Sequence, residues 1–394
     1  MAKPTFRNVS HNQTLLEALD AERLKFLGPV IGWIVFLMIA GLLGNALVCY
    51  VHGKKIQRST ANNFILWLAT LDLFTCLVGM PMELLDITRS YTFDNPALCK
   101  VMRFVIYLGV MTSVATLVFI AMDRYFKICH PLRVSPIRRC RLVIFLSLCV
   151  GLLLAWPSLV IFGRKKMRAP KQYPRIYGVD CSIDDKLIHT VYPTVYFIIL
   201  GTAFLTGATV LILLYVIIGR KLYRRNRRPI GEDLSAYDSK AAMIVRLNSS
   251  GVKASAVPRD SLQDSIKKKK RKRDNRYNVS RTSAIFCTIS VVFVMSFLPS
   301  LALMTMSTIS TSFTETLSHG QYVVFSLFLR TYFINNCVNP IIYGFLNQQF
   351  RKECLKVFRS CLCRESENDT ETSNHSVNKM IRYVKNGSMT NSAT

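Results

Sequence analysis

Apolar and charged positions are sorted into long blocks along this chain rather than mixed. Charge-free stretches run from Pro29 to Val51, Phe104 to Met122, Leu142 to Gly163, Thr190 to Gly219 and Thr282 to Thr314. Each reaches the roughly 18–20 residues that a helix needs to cross about 30 Å of hydrocarbon. Two more apolar stretches carry a single charge: Asn63–Met82 around Asp72, and Gln321–Leu346 around Arg330. The pattern predicts seven spans, numbered here in chain order. A soluble protein with buried helices has no need of so many runs this long. The expected fold is all-α, a seven-transmembrane helix bundle over residues 29–346 with a short amphipathic helix after the seventh span.

Composition sharpens this picture. The 394 residues are 51% hydrophobic and yet carry a formal charge of +28, so the basic residues must lie outside the spans. They cluster after spans one (HGKKIQR), three (KICHPLRVSPIRRCR), five (GRKLYRRNRRP through KKKKRKRDNRYNVSR) and seven (RKECLKVFR). Excess Lys and Arg mark the cytoplasmic side, which places the N-terminus outside and the C-terminus inside. The loop GRKKMRAPKQYPRIYGVDCSIDDK between spans four and five is basic yet falls outside, an exception that the other four clusters outvote.

The first 28 residues are polar, lack a cleavable signal peptide, and are expected to form an extracellular tail. They carry glycosylation acceptors at Asn8 and Asn12. Residues 224–276 lack apolar periodicity and are expected to be a disordered cytoplasmic loop. Its basic ends would attract anionic membrane lipid and an acidic partner surface; a nucleic-acid partner is not expected, because the flanking spans anchor it. Residues 347–394 are expected to form the amphipathic helix and a Ser/Thr-rich cytoplasmic tail.

Of the twelve cysteines, Cys99 and Cys181 alone fall on the oxidising side of this topology. Two such thiols without a competitor are expected to pair, the alternative being two free thiols. Cys361 and Cys363 follow a basic amphipathic segment and are candidates for palmitoylation. The six histidines never fall at metal-ligand spacing, and neither a nucleophile elbow nor a phosphate loop occurs, so an enzyme is not expected. A transporter or channel fits poorly with an odd span count and no internal repeat.

The polar residues left within the spans carry the chemistry. Span one holds Gly44-Asn45, span two LATLD ending at Asp72, and span three Ser113 and then Asp123-Arg124-Tyr125. Span six holds FVMSFLP with Phe293, Phe297 and Pro299. Span seven holds NNCVNPIIY with Asn335, Asn336, Asn339, Pro340 and Tyr343. Asn335 and Asn339 share a face, and Pro340 removes a backbone donor and bends the helix. In this order on successive spans, the motifs resemble those of rhodopsin-like (class A) G-protein-coupled receptors of the peptide-receptor type, over roughly Pro29 to Phe358. Phe350 and the Cys99–Cys181 pair fit the same resemblance.

The resemblance implies a role for each polar group. Asp72, with Asn45, Ser113, Asn335, Asn336 and Asn339, corresponds to an allosteric sodium site of the inactive state. A hard cation and oxygen ligands suit each other, though a neutral hydrogen-bonded Asp72 is the alternative. Asp123 would hold Arg124 when the receptor is off; when on, Arg124 would turn under the C-terminal helix of a heterotrimeric G protein together with Tyr215 and Tyr343. A receptor kinase and arrestin are implied partners of the tail. The chain also departs from the pattern. Val279 stands where many members have an acidic second lock, Gly207 where span five has proline, and Phe297 where span six has tryptophan; the usual span-four tryptophan is displaced to Trp156.

Absences narrow the ligand. Ile106 stands where amine receptors carry aspartate, and Phe333 where opsins carry the retinal lysine. Glu83 and Asp86 share one face of span two. With Arg103, Arg330, Ile106 and Phe297 they would line a wide, two-signed vestibule that suits a peptide better than a lipid or other small molecule. Arg330 would take a carboxylate bidentately and Glu83 an arginine or amine, unless these charges only pair with each other.

Overall fold

The computed structural model describes residues 6–57, 59–130, 137–169, 173, 176–226, 259–309 and 317–360. Among them, six helices are long and apolar enough to cross a membrane. The seventh span is assembled from a helix His319–Leu329, a 3-10 turn Thr331–Ile334 and a helix Asn335–Leu346. A further helix covers 348–360, as expected after the seventh span, and buries Phe350.

Span one departs from expectation. It is one helix, Phe6–Tyr50, closed by a π turn Val51–Lys55, so the expected N-terminal tail is helical from Phe6. At 1.5 Å per residue its 45 residues extend about 67 Å, roughly twice the hydrocarbon thickness. Leu19, Asp20 and Leu27 are buried on a face that packs over the mouth of the bundle. Spacing at i+3 and i+4 through Leu16, Leu19, Arg23, Leu27 and Val30 puts these residues on one stripe. Of the two glycosylation acceptors, Asn12 is exposed on this helix, and the side chain of Asn8 lies outside the described residues.

The expected disordered loop is also shorter than residues 224–276. Span five runs Tyr192–Asn226, and span six starts far earlier than its apolar part, at Arg259. Lys and Arg are strong helix formers, so the KKKKRKR run extends the span-six helix instead of breaking it. Residues 227–258 and the palmitoylation candidates Cys361 and Cys363 lie outside the described residues.

Span two combines Thr60–Phe74, a π turn Thr75–Gly79 and Met80–Thr88. Span three is Pro96–Cys129, and span four is Ile137–Ala155, continued by the turn Ser158–Ile161. The all-α expectation gains one exception, because the basic loop folds into an antiparallel hairpin of β1, Phe162–Arg168, and β2, Tyr177–Ile183. Along β1 exposure alternates from Arg164 onward, with Arg164, Lys166 and Arg168 on the wet face and Lys165 and Met167 half-buried between them. The Cys99–Cys181 disulfide is formed and ties β2 to the start of span three.

Close approach between spans explains the Gly44-Asn45 pair. A methyl group on Gly44 would lie 2.7 Å from Pro340 Cγ, so only glycine lets spans one and seven meet here. Beside it, Asn45 donates to the carbonyls of Gly41 at 3.0 Å and Asn336 at 2.6 Å, joining the backbones of the two spans.

Candidate functional site

At the disulfide end, four charged residues from three spans form one network. Arg330 Nε donates to Glu83 Oε1 at 2.9 Å, and its Nη1 donates to the Ser326 carbonyl at 3.1 Å. Arg103 Nη2 donates to Asp86 Oδ2 and to the Cys181 carbonyl, both at 2.8 Å; its Nη1 is 3.9 Å from Glu83 Oε2. Local backbone geometry sets this up. Arg330 sits at the break in span seven, with φ −107° and ψ 12°, where its side chain reaches sideways to span two. Isolated charges this buried would cost several kcal/mol each, so the four are stable only as a set. Glu83 and Arg330, expected as separate ligand contacts, are thus each other's partner.

Ile106 and Phe297 lie apart from this network. They line a narrow cavity of about 20 Å³ with Phe293, Tyr332 and Phe333, and Ser113, Asn335 and Asn336 line it too. Phe297 packs 4.6 Å from Phe293, 5.4 Å from Phe204 and 5.7 Å from Tyr332, measured between ring centres. An aromatic column therefore descends from the vestibule toward the polar core. Span six passes through Pro299 as a continuous helix.

In that core Asp72 is 2% exposed, and Asn339 Nδ2 donates to its Oδ2 at 2.7 Å. Asn45 Oδ1 is buried with no hydrogen-bond partner among the described residues. Among those residues no group of three or more His, Cys, Asp or Glu occurs that would hold a transition metal. Of the residues expected at an ion site, Ser113, Asn335 and Asn336 line the narrow cavity, whereas Asp72 is bonded to Asn339 and is not part of that lining. One carboxylate with hydroxyl and amide oxygens is the donor type a hard cation takes.

At the other end Arg124 Nη2 donates to Asp123 Oδ2 at 2.6 Å, Lys127 Nζ shares that oxygen at 2.9 Å, and the guanidinium lies 5.4 Å from the Phe286 ring centre. Val279 offers no second acidic partner. Arg124 Nε and the hydroxyls of Tyr215 and Tyr343 are buried without hydrogen-bond partners among the described residues. Tyr125 turns away from them, into an edge-on contact with Phe126 and His130. Pro340 lies within the last helix of span seven, directly above Tyr343.

Sequence reasoning missed three residues here. Asp20 accepts from the Tyr91 amide at 2.9 Å and the Thr92 hydroxyl at 2.7 Å, and Arg23 donates to the Tyr322 hydroxyl. Their signal was the helical stripe in the polar segment. His52 stacks at 5.2 Å on Phe350 and lies 5.8 Å from Tyr343, with both ring nitrogens unpartnered among the described residues. Nothing in its short basic loop marked it.

A membrane bundle with a charged vestibule at one end and a breakable Asp–Arg pair at the other is, by class, a signalling receptor. The sequence matches the 7 transmembrane receptor (rhodopsin family) over residues 44–343, and the chain belongs to that family. It is a receptor rather than an enzyme, and a multi-pass protein of the plasma membrane. It is 28% identical over 386 residues to neuropeptide FF receptor 1 of Homo sapiens, covering 90% of this chain and 78% of that protein. It is 24% identical over 335 residues to neuropeptide FF receptor 2 of Rattus norvegicus, covering 81% and 70%.

Proposed function

We propose that this receptor responds to an extracellular neuropeptide or peptide hormone and activates a heterotrimeric G protein. The observation that carries the reading is the vestibule of Glu83, Asp86, Arg103 and Arg330, two-signed and roofed by the pinned β1–β2 hairpin. Its relatives are named for a neuropeptide, which supports the same ligand class. The basic clusters orient the disulfide end outward and the Arg124 end toward the cytoplasm.

The mechanism is a population shift. A peptide that binds the open state more tightly exchanges its own charges for those of the Glu83–Arg330 pair and presses on the Phe297 column. Span six then moves outward about Pro299, Arg124 leaves Asp123, and the unpartnered hydroxyls of Tyr215 and Tyr343 find new partners with the G protein bound. Asp72, Ser113, Asn335, Asn336 and Asn339 would hold a sodium ion, which supplies a countercharge to Asp72 when bound. A receptor kinase and arrestin would act on the Ser/Thr-rich tail, and anionic lipids on the basic segments.

Calcium and cAMP readouts in cells expressing the chain, challenged with neuropeptides, lipids and amines, test this. A potent response to one peptide family, lost in Glu83→Ala and Arg330→Ala, is expected. A lipid or amine response that survives both substitutions would overturn the peptide assignment. Sodium is tested on purified receptor: added NaCl should raise the melting temperature of the wild type and not of Asp72→Asn, against matched choline chloride. Equal effects of the two salts would remove the ion from the account.

A further inference from the structure

Beside the vestibule lies a second cavity, of about 150 Å³, walled by Arg23, Leu27, Asp86, Asp180, Tyr322 and Arg330, among others. It exists because the N-terminal helix is docked there. Asp20 grips Tyr91 and Thr92, and Arg23 sits on the Tyr91 and Tyr322 rings, 5.6 and 4.9 Å from their centres. The same Tyr91–Phe93 segment bonds to β2: Val179 donates to the Tyr91 carbonyl at 2.8 Å, and Phe93 donates to the Val179 carbonyl at 2.9 Å. First helix, first outer loop and hairpin are therefore one bonded roof. A space this size is too small for a drug-sized ligand, whose pockets run to roughly 300–1,000 Å³, but large enough for one side chain.

The sign of its occupant follows from a count of partners. Arg330 is engaged by Glu83 and the Ser326 carbonyl, and Arg23 by the Tyr322 hydroxyl and two aromatic faces. Asp86 gives Oδ2 to Arg103, but its Oδ1 is fully enclosed with no donor among the described residues. Asp180 is the other carboxylate of the wall. Burial raises its carboxyl from the ordinary value against the pull of Arg103, Arg23 and Lys165, so a further cation would be welcome beside it. The unmet demand is for a positively charged donor. An enclosed carboxylate oxygen gains most from such a partner.

We propose that this side cavity, completed by the N-terminal helix, is a subsite for a guanidinium or ammonium side chain of the peptide ligand, received by the Asp86 and Asp180 carboxylates of its wall. The proposal rests on the peptide-receptor reading for the identity of the ligand, but the cavity's charge preference does not depend on it. Arg23 and Leu27 then belong to the binding surface, and ligand selectivity extends into a segment that precedes the first membrane crossing.

The test begins without any ligand. Ser90 lines the cavity, so Ser90→Cys in the full-length receptor is labelled with aminoethyl and sulfonatoethyl methanethiosulfonate, and labelling is followed by intact mass against the wild-type background. The cation-to-anion rate ratio, divided by that of free cysteine, is expected to exceed about tenfold and to fall at least fivefold in Asp86→Asn. A ratio at or below that of free cysteine, or one unchanged by Asp86→Asn, overturns the subsite. Should Asp86→Asn fail to fold, Asp180→Asn decides in the same way, a fall supporting the subsite and no change sinking it. In the peptide screen, citrulline or norleucine replaces each Arg or Lys of an activating peptide. One position should lose at least tenfold in potency on the wild type, with no further loss on the folded Asp variant. Activation by peptides with no such position would sink the subsite and leave the peptide reading intact. A cation-selective cavity in a chain that no peptide activates would do the reverse.

Discussion

The two ends of this bundle hold their arginines in different ways. At the disulfide end Arg103 and Arg330 pair with carboxylates of another span, and a covalent bond holds the hairpin above. Even there, Arg103 Nε and Asp86 Oδ1 are enclosed without partners among the described residues. Arg124 pairs with Asp123, its own neighbour in span three. At the Arg124 end, two tyrosine hydroxyls and a guanidinium nitrogen are buried without partners among the described residues. Each such group costs about 1–3 kcal/mol. The difference teaches where the molecule is expected to change shape. The end tied across spans holds its form until a ligand offers competing charges; the end paired within one span has fewer ties to break when the spans separate.

Breaking the cross-span network should have the largest effect. Glu83→Ala leaves Arg330 and Arg103 short of a buried partner and is expected to cost about 3–5 kcal/mol, read as a lower melting temperature of purified receptor. Replacing Glu83 and Arg330 together by Met should recover most of that loss. A double variant as unstable as the single would mean that the pair does not act as a unit. Next, Gly207→Ala probes the packing of span five on span three. Its methyl would lie 2.8 Å from Val114 Cγ1, and overpacking of this kind costs about 1–3 kcal/mol. Unchanged melting would show that the close approach is not needed.

Supplying a cross-span partner at the Arg124 end sharpens the contrast from the other side. Val279→Glu provides the missing second acidic residue for Arg124 and is expected to lower ligand-free signalling about fivefold in a cAMP or calcium assay matched for surface expression. Unchanged basal signal would place the restraint elsewhere. The smallest effect is expected at Trp67, whose Nε1 donates to Thr116 Oγ1 at 3.2 Å across spans two and three. Trp67→Phe should cost about 1 kcal/mol, visible in melting and not in signalling.

How much of this was legible beforehand differs by element. The spans were legible because hydrocarbon imposes a minimum run of apolar residues, and Asp72 stood out inside such a run. Glu83 and Asp86 on one face followed from helical spacing. Their partners did not, because Arg103 and Arg330 come from other spans and only the packed bundle brings them together. The docked first helix was read as a tail since its polar residues outnumber the Leu stripe that seats it. The hairpin was hidden by basic composition, and Trp67 by lying in a run where an apolar residue needs no explanation. From Arg259 to residue 276 a longer span-six helix stands where a disordered loop was expected, because Lys and Arg act there through propensity, not charge.

The unbroken first helix also makes the receptor a gauge of its own motion. Asn12 is 17 positions before Pro29, about 26 Å along a straight helix axis. A tilt of about 10° at the membrane surface would sweep a spin label there through roughly 4 Å on that geometry. Displacements too small to see among the packed spans would thus be magnified at a point far from the hydrocarbon, where a probe disturbs none of the contacts described above.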